Sequence, residues 1–145
     1  TSRSSWDRDS FEDGVSVAAS LALAGISASR TVSFAAGKTW VPATNAGAML
    51  DALSSLPMSG RDDITALARR AYAARPSASY VSIVAPPSVS DAEAAHLAQV
   101  TPRDVTVQVL RINPKRRPRR RRLEGGVLYD CPSLRDLAHL VGDIR

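Results

Sequence analysis

Ser79-Tyr80-Val81-Ser82-Ile83-Val84-Ala85-Pro86-Pro87, then Ser90-Asp91-Ala92-Glu93, then Asp104-Val105-Thr106-Val107-Gln108-Val109-Leu110: these three pieces decide the fold class. The first is a β-prone run stopped by two prolines, which fix φ and remove ladder donors. Ser90 and Glu93 have capping-box spacing, so a helix opens there and runs to about Gln99. The third piece is β-prone again. Strands alternating with helices of these lengths predict an α/β fold built on a mainly parallel sheet covered on both faces.

The pattern extends upstream. Ser10, with Asp13 three residues on, reads as the start of a helix that runs to about Ala24 and stops at Gly25. Its Val15, Ala18, Ala19 and Ala22 face is small and suits close packing on a sheet. Arg30 to Ala35 reads as a strand, and Gly37 to Thr44 as a loop or short hairpin with Trp40 and Pro42. Asn45 caps a helix bearing Met49, Leu50, Leu53 and Leu56. Another begins near Asp62, with Ile64, Leu67, Ala68, Ala71 and Tyr72 at helical spacing, and closes at Arg75-Pro76. Downstream, Gly126 to Asp130 is a short strand. Ser133 caps a last helix with Leu134, Leu137, Leu140, Val141 and Ile144 on one face.

At 145 residues the chain has the size of one domain, residues 1–145. Hydrophobic residues make up 44% but aromatics only 5%, so the core must be mostly aliphatic. The apolar stretch from Val15 to Ile26 is too short to span a bilayer, which takes about 20 residues. A single cysteine, Cys131, excludes an internal disulfide and any Cys-rich metal site, and fits a reducing, cytoplasmic setting.

The net charge of +5 is one local patch. Eight of the 19 basic residues fall between Arg111 and Arg122, with no acidic residue among them. The rest of the chain carries 11 basic against 14 acidic residues, a balance of −3. Lys115, Arg116, Arg117, Arg119, Arg120, Arg121 and Arg122 repel one another, so residues 111–124 read as a solvated loop insertion. The same residues can neutralise phosphates of nucleic acid or anionic lipid, or meet an acidic protein surface. No aromatic residue interrupts the run to stack on bases, so any nucleic-acid binding is expected to be non-specific.

No catalytic constellation is visible, and the chain is not expected to be an enzyme. Gly37-Lys38-Thr39 lacks the upstream glycine of a phosphate-binding loop, because that position is Val32. His96 and His139 have no second ligand at metal spacing. Cys131 beside Pro132 has no base in sight and reads as a packed residue. The acids Asp7, Asp9, Glu12 and Asp13 read as a solvated helix start, as do Asp62 and Asp63. Trp6 and Trp40 read either as anchors for a partner or as covers of sheet ends. No cofactor is expected.

Phe11-Glu12-x-x-Val15-Ser16-x-Ala18-Ala19-Ser20-Leu21-Ala22 resembles the first helix in the C-terminal half of domain-of-unknown-function family fifty-eight, in its actinobacterial style. Ala48-Met49-Leu50-Asp51-Ala52-Leu53-Ser54-Ser55-Leu56 is similar to that family's next helix. Leu134-Arg135-Asp136-Leu137-Ala138-His139-Leu140 is similar to its last. The resemblance covers roughly the whole chain without a catalytic signature. It implies a von Willebrand factor A-like domain, a three-layer doubly wound sheet.

That domain type carries an Asp-x-Ser-x-Ser metal loop after its first strand. Thr1-Ser2-Arg3-Ser4 would supply only the remainder, with Ser2 and Ser4 as the hydroxyls, and Ala85-Pro86-Pro87 stands where a further Asp is usual. No metal is therefore expected. The resemblance also implies that the central first strand is missing, leaving unpaired neighbours and a domain of marginal stability by itself. Family members are often associated with MoxR-type AAA+ ATPases and are commonly anchored to membranes through an N-terminal region. The expected role is a non-enzymatic protein-interaction module, an adaptor for such an ATPase. Its surface would lie on the strand-end loops, at Ser2–Trp6, at Gly37–Trp40 with Lys38, and at Ala85–Ser88. Non-specific binding of nucleic acid or anionic membrane through the arginine run is the alternative.

Overall fold

The computed structural model describes residues 8–28, 32–36, 39–41, 45–54, 64–74, 80–101, 104–113, 115 and 117–132. In chain order the elements are α1 (Arg8–Ser27), β1 (Phe34–Ala36), β2 (Thr39–Val41), α2 (Ala46–Ser54), α3 (Ile64–Ala74), β3 (Tyr80–Ala85), α4 (Asp91–Gln99), β4 (Thr106–Ile112), β5 (Arg119–Leu123) and β6 (Gly126–Cys131). The last predicted helix, from Ser133, lies outside the described residues.

Local capping holds where it was expected in two helices. Ala48 N–H donates to Asn45 Oδ1 at 2.8 Å at the start of α2. At α4, Glu93 N–H donates to Ser90 Oγ at 3.1 Å, while Ser90 N–H donates back to Glu93 Oε1 at 3.4 Å. These bonds satisfy donors that a helix start would otherwise leave orphaned.

The first helix departs from the sequence expectation at both ends. It begins at Arg8, so Ser10 lies inside it and is buried rather than capping it. It also runs through Gly25. A Cβ there would come within 2.7 Å of Val32 Cγ2, so this glycine serves close packing against the segment that leads to β1.

The main sheet has the order β3-β4-β6-β5. β3 pairs parallel with β4, and β4 parallel with β6. β5 pairs antiparallel with β6 and forms one edge. β1 and β2 make a separate antiparallel hairpin, Phe34 opposite Val41 and Ala36 opposite Thr39. The chain is thus mixed α/β with a four-stranded, mostly parallel sheet. The solvated loop expected over 111–124 is corrected: Arg111 and Ile112 belong to β4, and Arg119–Leu123 is a strand. Its fifth residue turns through Glu124-Gly125 into β6, with Gly125 at φ 88°, a conformation glycine adopts without strain.

Side-chain parity divides the core into two layers. Ile83, Ala85, Val107, Val109 and Leu128 meet Ala94, Leu97 and Ala98 of α4, with Ala68 and Tyr72 of α3 packed alongside. On the opposite face Leu110, Ile112, Tyr129 and Cys131 meet Val17 of α1, with Leu21 and Val84 alongside. A third cluster joins Ala22 of α1 to Met49 and Leu53 of α2, with Val32 against it. Each fully buried Val, Leu or Ile contributes roughly 1.5–3 kcal/mol. Helices therefore cover both faces of the sheet, and α1 and α3 also reach the region of the β1–β2 hairpin.

Candidate functional site

The parallel strands end in a charged row. Register places Ala85 of β3 beside Arg111 of β4, Arg111 beside Asp130 of β6, and Asp130 opposite Arg119 of β5. Arg111 and Asp130 are each 1% exposed, although both are ionic. Isolated charges are not tolerated at that depth, so pairing must hold them there.

The geometry provides that pairing. Arg111 Nε and Nη2 donate to the two carboxylate oxygens of Asp130 at 2.7 and 3.0 Å. Its Nη1 donates to Val89 O at 2.9 Å and to Asp91 Oδ1 at 2.8 Å. This bidentate fork is the arrangement in which arginine binds carboxylate most strongly. It ties β4 to β6 and to the turn that opens α4. The guanidinium is held charged above its ordinary range, chiefly by its hydrogen bonds to Asp130.

Asp91, the first residue of α4, faces three guanidinium groups. Besides Arg111 it pairs with Arg121, and with Arg119 at 3.5 Å. Hydrogen bonding from Arg111 holds its carboxyl below the usual carboxylate range, against the opposing effect of burial. The helix dipole favours the same charge at this position. Arg119 Nε also lies 3.5 Å from Asp130 Oδ2. A shallow open pocket of about 380 Å³ is lined here by Arg117, Pro118, Arg119 and Asp130.

The arginines of β5 therefore divide by parity. Arg119 and Arg121 point to the α4 face and are partly committed to Asp91 and Asp130. Arg120 and Arg122 fall on the other face, opposite Tyr129 and Val127. They are exposed, as are Lys115 and Arg117, and none of these four forms an ion pair among the described residues. The site can thus lock its own frame with one set of cations while presenting another to solvent.

Other expected site residues are not gathered here. Ser2, Ser4, Trp6, Lys38 and Arg116 lie outside the described residues. Trp40 is in β2, where its backbone stands opposite Ala35. His96 is exposed on α4, and Cys131 is a buried thiol. No group of three or more potential metal ligands occurs among the described residues. No helix among them is long and apolar enough to cross a membrane.

Sequence reasoning did not single out Arg111, Asp130 or Asp91 as a unit. Strand parity carries the signal: Arg111 follows Val107 and Val109 at inward positions, and Asp130 follows Leu128. Opposite charges at inward positions of neighbouring strands are a pair in waiting. Comparison with protein-family models, with curated proteins and with solved structures finds no match to this chain.

Proposed function

We propose that this chain is a non-enzymatic protein-interaction module whose working surface is the arginine-bearing edge of its sheet. The observation that carries the reading is the division of β5: Arg119 and Arg121 are braced by Asp91 and Asp130, and Arg120 and Arg122 are held outward on the same strand. Cations fixed on a rigid strand favour a partner with complementary negative charge.

The resemblance to domain-of-unknown-function family fifty-eight supplies the candidate partner, a MoxR-type AAA+ ATPase. A von Willebrand factor A-like sheet suits the separation of β1–β2 from β3-β4-β6-β5, because a further strand between β1 and β3 would join the two sheets. α1 packs on Val32, just before β1, as well as on β3 and β4, and α3 touches both β1 and α4.

The test is a nuclease-treated affinity capture from lysate at low and moderate salt. The chain is compared with a variant carrying Gln at Arg117, Arg119, Arg120, Arg121 and Arg122. An AAA+ ATPase identified with the unaltered chain at both salts supports the module. Failure to retain any such ATPase removes the adaptor reading. A second reading, binding of nucleic acid or anionic membrane, is favoured by the exposure of Lys115, Arg117, Arg120 and Arg122. It predicts a steep salt dependence, with a slope of about −0.9 per duplex phosphate neutralised.

A further inference from the structure

We infer that the outer edge of β5 binds an acidic extended peptide segment of a partner protein by strand addition. This rests on the interaction-module reading and specifies its mode. β5 is the last strand of its sheet and pairs only with β6 among the described residues. Its far side therefore offers a row of backbone donors and acceptors, the template on which an added strand forms.

Charge decides which strand can use the template. Arg119, Arg120, Arg121 and Arg122 occupy four consecutive positions. A second copy of β5 would set arginine against arginine, so self-pairing is opposed. A neutral strand gains nothing from the guanidinium groups and hinders their solvation. A strand with carboxylates gains at each pairing.

Parity sharpens the requirement. On the α4 face, Arg119 and Arg121 already meet Asp91 and Asp130. On the α1 face, Arg120 and Arg122 have no ion-pair partner among the described residues. Successive side chains of a strand alternate between faces, so one face is matched by acids at every second position. The fitting sequence alternates Asp or Glu with small uncharged residues. Carboxylates would then stand beside Arg120 and Arg122, at cross-strand spacing of about 5 Å. A phosphodiester backbone meets the charge but has no donors at strand spacing for the outward carbonyls of β5, whereas an extended peptide presents an N–H at every second residue, which argues for peptide over nucleic acid.

The experiment measures binding of five fluorescent probes to the full chain by anisotropy. They are a seven-residue peptide alternating Glu with Thr, the same peptide N-methylated at every second amide in each of the two registers, a peptide of the same composition with its Glu in one block, and an oligodeoxythymidine of equal charge. Arg120→Gln/Arg122→Gln and Arg120→Lys/Arg122→Lys variants are measured in parallel. Both substitutions are on exposed positions, and amide spectra confirm that each variant keeps the fold.

The alternating peptide is expected to bind, to slow hydrogen exchange along β5, and to weaken about tenfold with the Gln pair, as expected for loss of charge-assisted hydrogen bonds. One N-methylated register is expected to lose binding, and the Lys pair to keep part of it. Equal affinity for the block peptide, for both N-methylated peptides or for the oligonucleotide overturns strand addition in favour of bare electrostatics. Absence of peptide binding also overturns it. ATPase capture that persists without peptide binding leaves the module standing and only this mode fails; peptide binding without ATPase capture removes the ATPase as partner and leaves strand addition standing.

Discussion

The sheet has two edges, and they are built on opposite principles. β5 carries four arginines in a row and is exposed over most of its length. β3, Tyr80–Ala85, carries no charge, and its Ile83 and Ala85 are buried. β3 is covered on its faces: α3 and α4 side chains pack on one, with Val81, Ile83 and Ala85, and α1 side chains on the other, with Val84. β5 is protected by charge, which deters unplanned pairing without helices on both faces. One edge draws its stability from apolar burial, the other from an ion-pair frame at the strand ends. They should therefore respond to different perturbations.

The strongest way to break the comparison is Arg111→Leu. It removes the guanidinium that satisfies buried Asp130, and a loss of about 3–5 kcal/mol is expected by urea unfolding. A loss under about 1 kcal/mol would mean that the row at the strand ends does not hold the sheet. Ile83→Ala tests the apolar edge. It should lose about 2–3 kcal/mol, nearly independent of salt, as core truncations do. Ser90→Ala removes the capping oxygen that seats Asp91 at the head of α4, with an expected loss of about 1 kcal/mol. A similar loss from Asn45→Ala would mark ordinary capping rather than a special role for this turn.

Acid should act on the β5 side and not on the β3 edge, which carries no carboxylate. The folded carboxyl of Asp91 titrates below its unfolded counterpart. Its contribution is therefore complete above the ordinary carboxylate range and is lost as pH falls through the lowered value. Asp91→Asn should flatten that acid limb of the stability curve, measured by urea unfolding across pH. An unchanged limb would assign acid sensitivity to other carboxylates. The smallest effect is expected from Arg119→Gln, below about 1 kcal/mol, because its side chain is 49% exposed and solvent screens the pair. That small loss should shrink further in salt, whereas the Ile83→Ala loss should not.

The parts legible in the sequence are those governed by short-range rules. The caps at Asn45 and Ser90 depend on residues three apart, and both form. The parallel pairing of β3 with β4 follows from a strand, a capped helix and a second strand. The Arg-rich strand was hidden because its stability comes from β6 and from Asp91 and Asp130, not from an apolar alternation of its own. Glu124-Gly125 after Leu123 was the available hairpin signal. Gly25 misled for a similar reason: its role is set by Val32, a tertiary neighbour that no local pattern reveals. Asp91 was read only as part of a capping box, which concealed its second task of facing three arginines.

The turn between β5 and β6 has a further consequence. A Cβ on Gly125 would lie 3.5 Å from the Ala98 carbonyl oxygen, so the turn tucks beneath the later half of α4. The other end of the hairpin, at Arg119, is tied to Asp91, at the head of the same helix. The arginine hairpin is thus clamped at both ends by one rigid spar. Its backbone freedom was surrendered when the domain folded, not when a ligand arrives. Association then carries a smaller ordering cost than it would for a mobile basic tail. Encounter should be set by long-range attraction, and discrimination between ligands by how slowly each one leaves.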